Sequence, residues 1–324
     1  MKKFKPAFGL KNRHLQTLYS SLFRKLPPLE IEIENFSLED GDFLECHWYN
    51  RPVADSFAPI IVIFHGLAGS YESPYIQGLM REAAKNGFAT VLMHFRGCSG
   101  KENLKPRSYH SGDSGDALAW LNVVKAKFHN SKIFGVGYSI GGNMLLKLLG
   151  ELGEKSPLNA AVSVSAPLQL DICADAMNRG FSKFYQHILL KSLNHSLEQK
   201  FEKHDMQKWI DIAKSDVSKI KTFWEFDGAY TAPIHGFASA QDYYTRCSSK
   251  QFLKNIETPT LIIHSSDDPF MTTEVLPTKE ELSSKITFEL SAHGGHVGFI
   301  GGSFLQPEYW LEKRVIHFLN AFKE

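Results

Sequence analysis

Cysteine is scarce in this chain of 324 residues, which contains only Cys46, Cys98, Cys173 and Cys247. No two of them show the two-residue spacing that would place a pair of thiolates on one metal ion. The sequence therefore indicates neither a disulfide framework nor a zinc site. We expect a protein that uses no metal and no other cofactor.

An excess of charge of either sign is also missing. The chain has 36 Lys and Arg against 35 Asp and Glu, which gives a formal net charge of +1 with His neutral. Such a balance provides no overall field that would hold a polyanion. We therefore expect no nucleic-acid partner.

Long apolar runs are absent as well, since no stretch approaches the ~18 consecutive apolar residues needed to span a bilayer. Lys2, Lys3 and Lys5 resemble the start of a signal peptide, but Lys11 and Arg13 interrupt the apolar region that such a peptide requires. We expect no integral membrane segment and a cytoplasmic location.

The residues that are present can form a sizeable core, because 43% of them are hydrophobic. After a predicted antiparallel hairpin at 31–50, apolar segments of strand length alternate with segments of helical periodicity. This alternation predicts an α/β fold with a mostly parallel central sheet and helices on both faces. The predicted strands are 59–64, 89–94, 132–138, 160–165, 260–265 and 286–291, and the predicted helices are 73–84, 112–128, 140–152 and 308–323.

One change of pattern divides the chain. Between 168 and 252 the alternation lapses into a long, polar, helix-rich segment, which we interpret as a helical cap insertion. The core of the fold is then predicted at 31–167 and 253–324, and residues 1–30 are predicted to be an N-terminal tract packed on that core.

The segment 137–141, Gly-Tyr-Ser-Ile-Gly, matches the G-x-S-x-G pattern of a nucleophile elbow. This pattern requires Ser139 on a tight turn between a strand and a helix, with its hydroxyl exposed at the sheet edge. An ordinary glycine-rich turn is the alternative. The position between a predicted strand and a predicted helix favours the elbow.

A serine hydroxyl becomes nucleophilic when a histidine removes its proton and a carboxylate orients that histidine. Asp267 and Asp268 directly follow one predicted strand, and His293 and His296 follow the next. The chain order Ser, Asp, His is that of α/β-hydrolases. Two aspartates and two histidines leave the choice of acid and base open.

The dipeptide His65-Gly66 ends another predicted strand. An oxyanion formed at the nucleophile needs two backbone N–H donors, one from the residue after the serine and one from the loop after this strand. These donors would be Ile140 and Leu67. We interpret His65 itself as a hydrogen-bonded loop histidine rather than a group that transfers protons.

Six segments together resemble the YheT-type α/β-hydrolases, the AB hydrolase 4 family. They are Asn-Arg-His-Leu-Gln-Thr at 12–17, His-Gly-Leu-Ala-Gly-Ser at 65–70, Phe-Arg-Gly-Cys-Ser-Gly at 95–100, Gly-Tyr-Ser-Ile-Gly-Gly-Asn at 137–143, Asp-Asp-Pro-Phe at 267–270 and Gly-Gly-His-Val-Gly-Phe at 294–299. The resemblance implies a serine hydrolase with esterase activity on short- or medium-chain acyl esters. It also implies Asp268 rather than Asp267 as the acid, and His296 rather than His293 as the base.

We therefore expect a serine carboxylesterase with a Ser-His-Asp triad, an acyl-enzyme intermediate and a small-molecule acyl ester as substrate. The alternatives are a non-catalytic binding protein on the same fold, and a thioesterase or acyltransferase that uses the same triad. No pattern in the sequence predicts an oligomeric state. Aromatic residues of the insertion are expected either to line an acyl pocket or to form the core of the cap: Phe181, Phe184, Tyr185, Trp209, Phe223 and Trp224.

Overall fold

Eight strands form the central sheet of the computed structural model, which describes residues 1–323. They are β1 (Glu32–Ser37), β2 (Phe43–Tyr49), β3 (Ile60–Phe64), β4 (Ala89–Met93), β5 (Ile133–Tyr138), β6 (Ala160–Val164), β7 (Thr260–Ser265) and β8 (Ile286–Ser291). Their order across the sheet is β1-β2-β4-β3-β5-β6-β7-β8. The hairpin β1-β2 is antiparallel and joins β4 in an antiparallel pair, whereas β3 to β8 are parallel. The predicted α/β fold is confirmed.

The described chain also contains α-helices. They are α1 (Arg13–Phe23), α2 (Pro74–Lys85), α3 (Ser114–Lys127), α4 (Ile140–Leu152), α5 (Leu170–Met177), α6 (Ser182–Lys203), α7 (Lys214–Val217), α8 (Phe223–Phe226), α9 (Ala232–Ile234), α10 (Ala240–Cys247) and α11 (Trp310–Leu319). Side chains of α3 and α4 pack on one face with Ile60, Val62 and Phe64, and side chains of α2 and α11 pack on the other face with Ile61 and Ile63. Successive residues of a strand point to opposite faces, so these strands are apolar throughout.

The C-terminal helix is shorter than predicted. The sequence predicts a helix over 308–323, but α11 begins at Trp310 and a 3-10 turn, Asn320–Phe322, follows it. The residues before α11 form a short strand, β10 (Pro307–Tyr309), which pairs with β9 (Ile300–Gly302). Pairing with β9 holds the backbone of this segment in an extended conformation, which delays the start of the helix.

The segment between β6 and β7 contains the six helices α5 to α10. Its longest helix is α6, with 22 residues, and this helix packs against the short helices that follow it. Leu190, Leu197, Ile210, Val217 and Phe226 form an apolar cluster within the segment. This cluster gives the helical segment apolar packing of its own beside the two faces of the sheet.

The helix α1 was not predicted from the sequence. Asn12 caps it, because its side chain accepts hydrogen bonds from the backbone N–H groups of His14 and Leu15. The buried residues of α1 are Gln16 and Tyr19, which face the protein. Within residues 1–323, no helix combines the length and the apolar character that crossing a membrane requires.

Candidate active site

Ser139 stands between the last residue of β5 and the first residue of α4, with φ 53° and ψ −122°. This left-handed conformation is strained for a residue with a side chain, and such strain persists only where surrounding structure imposes it. The flanking glycines allow the turn: a Cβ on Gly137 would overlap the backbone of Gly141, and a Cβ on Gly141 would overlap the carbonyl oxygen of His65. The turn has the geometry of a nucleophile elbow.

Three sequence-predicted residues form a continuous hydrogen-bonded chain. His296 Nε2 lies 3.0 Å from Ser139 Oγ, and His296 Nδ1 lies 2.8 Å from Asp268 Oδ2. Asp268 is 2% exposed and His296 is 9% exposed. When Nδ1–H donates to the carboxylate, Nε2 is left as the acceptor for the serine hydroxyl. This arrangement can remove the proton of Ser139 as its oxygen attacks a carbonyl carbon.

The neighbouring carboxylate, Asp267, makes different contacts. Its Oδ1 accepts a hydrogen bond of 3.0 Å from the backbone N–H of Gly295, and its Oδ2 lies 3.4 Å from His293 Nδ1. The side chain of His293 is 39% exposed. The structure therefore brings Asp268 to the ring of His296, while Asp267 fastens the backbone of the loop that carries His296.

The two predicted oxyanion donors lie beside the serine. A Cβ added to Gly66 would be 3.2 Å from the Cβ of Ser139, which shows how closely this loop passes the elbow. Leu67 and Ile140 line the same cavity as Ser139. Within residues 1–323, neither the Leu67 nor the Ile140 N–H donates to a protein acceptor. Both are free to donate to a developing oxyanion.

Two tyrosine hydroxyls hold the loop that contains Leu67. The N–H of Gly66 donates to the hydroxyl of Tyr75 at 3.0 Å, and the N–H of Ala68 donates to the hydroxyl of Tyr109 at 3.2 Å. The Leu67 N–H lies between these two anchored amides. Sequence reasoning missed both tyrosines, because neither belongs to the motif that contains the loop.

His65 is a structural group in this loop. Its Nε2 accepts a 3.0 Å hydrogen bond from the N–H of Phe95, so its proton is on Nδ1, which donates to the carbonyl oxygen of Gly66 at 2.7 Å. Complete burial lowers the pKa of His65 to about 4. A neutral imidazole that uses both nitrogens agrees with the sequence interpretation of a hydrogen-bonded loop histidine.

A cavity of about 810 Å³ opens above Ser139 and His296. Its walls come from the core and from the helical segment 168–252. Side chains of this segment that line it are mostly apolar or aromatic: Leu170, Cys173, Ala174, Met177, Leu189, Leu193, Leu197, Phe223, Phe226, Tyr230, Tyr243 and Tyr244. The cavity can therefore surround an apolar group that lies next to the serine hydroxyl.

Most of the six aromatic residues singled out from the sequence do not line this cavity. Of the six, only Phe223 lines the cavity. Phe181, Phe184 and Trp209 are about half exposed on the outer surface, at 51%, 49% and 56%. Trp224 directs its indole N–H to the carboxylate of Asp175. Trp224 packs against the apolar cluster that contains Ala232 and Tyr244, which agrees with the alternative of a cap core. The three half-exposed residues fit neither alternative.

Part of the cavity wall is polar, and Lys200 of α6 is the most buried charged residue in it. Its ammonium group donates to Asn103 Oδ1 at 2.6 Å and to the carbonyl oxygen of Lys105 at 2.8 Å. Burial lowers the pKa of Lys200 to about 8. These hydrogen bonds tie the helical segment to a loop of the core.

The chain is similar to known hydrolases in sequence and in fold. A family model described as alpha/beta hydrolase fold matches residues 59–303. The chain is 43% identical over 322 residues to the Escherichia coli (strain K12) protein named "Putative esterase YheT". This alignment covers 99% of this chain and 94% of that protein. It is 29% identical over 286 residues to Medium-chain fatty acid ethyl ester synthase/esterase 2 of Saccharomyces cerevisiae, over 82% of this chain and 63% of that protein.

Among solved structures, the Pyrococcus furiosus esterase PF2001 is similar with a TM-score of 0.59 at 17% identity, over 91% of this chain and 92% of that one. This likeness concerns the fold alone. The fold, the family model and the similar proteins together define the class of this protein: it is an α/β-hydrolase of the esterase/lipase type. Within that class the chain belongs to the YheT-type family.

Proposed function

We propose that this protein is a serine carboxylesterase that hydrolyses short- to medium-chain acyl esters. The observation that carries the proposal is the hydrogen-bonded chain Ser139–His296–Asp268 beside a cavity whose wall from the segment 168–252 is mostly apolar or aromatic. In the proposed mechanism Ser139 is the nucleophile, His296 the general base and Asp268 the group that orients it.

In the first half of the reaction, Ser139 Oγ attacks the ester carbonyl carbon and its proton passes to His296 Nε2. The Asp268 carboxylate stabilises the resulting imidazolium. The negative charge on the carbonyl oxygen is stabilised by the N–H groups of Leu67 and Ile140. Collapse of this intermediate breaks the bond to the alcohol oxygen, which takes the proton from His296 and leaves.

In the second half, water attacks the acyl group on Ser139. His296 accepts the proton of the water and then returns it to Ser139 Oγ, which releases the carboxylic acid. The same residues thus carry both half-reactions, and the reaction consumes one water for each ester bond cleaved.

The substrate class follows from the walls of the cavity. In this proposal the helical segment 168–252 acts as a cap that covers the acyl group, and residues 1–30 form a tract packed on the core. Known ligand sites have volumes of roughly 300–1,000 Å³, so about 810 Å³ suits an acyl chain of medium length with its alcohol. The medium-chain ester named in the yeast relative supports the same class.

The test is hydrolysis of p-nitrophenyl esters from acetate to palmitate. Because each buried methylene contributes about 0.8 kcal/mol at most, kcat/KM should rise over the first few carbons and fall when the chain exceeds the cavity. EDTA should leave the rates unchanged. Ser139→Ala should remove turnover throughout the series. Exclusive activity on long chains at a lipid interface, or loss of activity with EDTA, would overturn the proposal.

A second candidate is acyl transfer to an alcohol, which the name synthase/esterase of the yeast relative favours. Water and an alcohol compete for the same acyl-enzyme. Adding ethanol to the assay and measuring ethyl ester by gas chromatography separates the two reactions. Hydrolysis predicts free acid as the main product in dilute ethanol, whereas a transferase would form mainly ethyl ester.

A further inference from the structure

The backbone of His296 is held by a residue far away in the sequence. Its N–H donates a 2.9 Å hydrogen bond to the hydroxyl oxygen of Thr17 on α1. That hydroxyl donates its own proton to the carbonyl oxygen of Arg13 at 2.8 Å. Since the hydroxyl proton is committed within the helix, the oxygen presents a lone pair to His296. The bond therefore has a fixed direction.

The loop that carries His296 is in close contact with α1. A Cβ on Gly295 would lie 2.5 Å from the carbonyl oxygen of Arg13 and 2.6 Å from Thr17 Oγ1. A Cβ on Gly298 would overlap the carbonyl group of Gln16. Glycine at both positions lets the loop approach the helix backbone on either side of His296.

Gln16 fastens the chain after this loop. Its side chain is fully buried, and its amide nitrogen donates to the carbonyl oxygens of Leu10 and Ile300 at 2.7 and 3.0 Å. Its amide oxygen accepts a 2.6 Å hydrogen bond from the N–H of Ile300. A buried amide with all these partners ties α1 to the residues that follow the histidine loop.

The loop itself has a strained backbone. Val297 and Phe299 both have positive φ, at 58° and 49°, although neither is glycine. Such conformations cost free energy and persist only where neighbouring contacts over-determine them. Thr17 and Gln16 contribute to this constraint on either side of the strained residues, and Ser165 Oγ accepts a 3.1 Å hydrogen bond from the N–H of Val297 itself.

We propose that α1 positions the catalytic base, and that Thr17 is its positioning residue. Without the Thr17 oxygen the N–H of His296 loses its acceptor, and the loop can relax so that Nε2 moves away from Ser139 Oγ. The inference rests on the proposed function, because it assigns a role to α1 in the same reaction. It also gives a role to the segment 12–17, which lies outside the residues matched by the general hydrolase model.

The test compares Thr17→Val with Thr17→Ser. Valine keeps the shape of the side chain and removes the hydrogen-bond acceptor. We expect kcat to fall about 10- to 100-fold and KM to stay within about twofold, because a small displacement of reacting groups can lower the rate by up to about 100-fold. Serine keeps the oxygen and should retain kcat within about threefold of wild type. The matched control is Thr90→Val in β4. It removes a buried hydroxyl that has no hydrogen-bond partner and should leave kcat unchanged.

A spectroscopic readout covers the case in which Thr17→Val is unstable. The proton between His296 Nδ1 and Asp268 should give a downfield NMR signal, and in the folded fraction of Thr17→Val this signal should shift or broaden, but not in Thr90→Val. Wild-type kcat and an unmoved signal in Thr17→Val would overturn the inference, and so would an equal loss in Thr17→Ser. If Ser139→Ala retained full turnover, the proposed function would fail instead, whatever the Thr17 variants do.

Discussion

Phe270 stacks its ring on the imidazole of His296, with centroids 4.0 Å apart and planes 7° from parallel. The backbone N–H of Phe270 donates to Asp268 Oδ1 at 2.8 Å. One residue therefore contacts both His296 and the carboxylate to which His296 is hydrogen-bonded. The aromatic face holds the plane of the ring, and in the proposed mechanism it would also favour the imidazolium formed when His296 accepts a proton.

Replacing Phe270 by leucine should lower kcat several-fold to about 30-fold, since the cation–π contribution is about 0.5–2 kcal/mol. Leucine keeps the apolar volume and the backbone N–H, so thermal stability should change little. Phe270→Tyr, which keeps the aromatic face, is the control. Steady-state kinetics on one soluble ester are sufficient, and an unchanged kcat in Phe270→Leu would remove the stacking from the mechanism.

The adjacent carboxylates should differ in their kinetic effects. Asp268→Asn presents an amide to His296 Nδ1 and favours the wrong tautomer, so kcat should fall by several orders of magnitude. Asp267→Asn keeps an oxygen that can accept from the Gly295 N–H, and its loss of activity should be within about tenfold. Purified variants are compared in one assay. The opposite ranking would transfer the role of acid to Asp267.

The hydroxyls of Tyr75 and Tyr109 should affect activity through the loop that contains Leu67, the proposed oxyanion donor. Tyr109→Phe leaves the N–H of Ala68 without its acceptor and loosens the loop that presents Leu67. Because one oxyanion donor is worth about 10²–10³ in kcat when removed, partial misplacement should cost about 10-fold in kcat with little change in KM. The control variant is Tyr230→Phe. Tyr230 also lines the cavity, but its hydroxyl donates to the carbonyl oxygen of Pro106 and not to the loop that contains Leu67. Equal losses in both variants would argue against a specific role for Tyr109.

Buried neutral histidines should make the fold sensitive to acid. Burial lowers the pKa of His65 to about 4 and that of His94 to about 3, from an ordinary value of 6.5. As the pH falls below about 6.5, the unfolded chain binds protons that the folded chain excludes, so the free energy of unfolding decreases. The decrease is at most about 1.4 kcal/mol per pH unit for each histidine.

Urea unfolding between about pH 7.5 and pH 5 measures this effect. His94 accepts a hydrogen bond from the N–H of Tyr71, and His94→Gln offers an amide oxygen in place of the ring nitrogen. This variant should lose less stability on acidification than the wild type. His129→Gln, at an exposed position, should follow the wild-type curve. If His94→Gln and the wild type lost equal stability, His94 would not contribute to acid sensitivity.

The sheet was predictable from sequence because its parallel strands are covered on both faces and therefore read as continuous apolar runs, as in Ile60–Phe64. Residues at the carboxyl ends of such strands converge at one edge of the sheet, so Ser139 and the Asp267-Asp268 pair could be named from motif and order alone. Which carboxylate faces His296 depends on the turn after β7. Strand patterns do not specify that turn, and the choice of Asp268 came from family resemblance.

Contacts between segments that are distant in the chain have no corresponding pattern in the sequence. Thr17 and His296 are 279 residues apart, and no spacing rule connects them. The same holds for the walls of the cavity, because the orientation of Phe181 and Phe223 depends on how the helices between β6 and β7 pack on the core. The cap of Asn12 on α1 was a readable signal, since Asn before a stretch of helical periodicity marks a helix start.

Fluorophosphonate labelling followed by peptide mass spectrometry shows whether Ser139 is an activated nucleophile. The phosphorus centre reacts with a serine whose proton is removed by a neighbouring base. We expect one adduct per chain, located on Ser139, with much slower labelling in His296→Gln and Asp268→Asn. A folded wild-type protein that remains unlabelled at Ser139, as a non-catalytic binding protein would, contradicts the proposed mechanism.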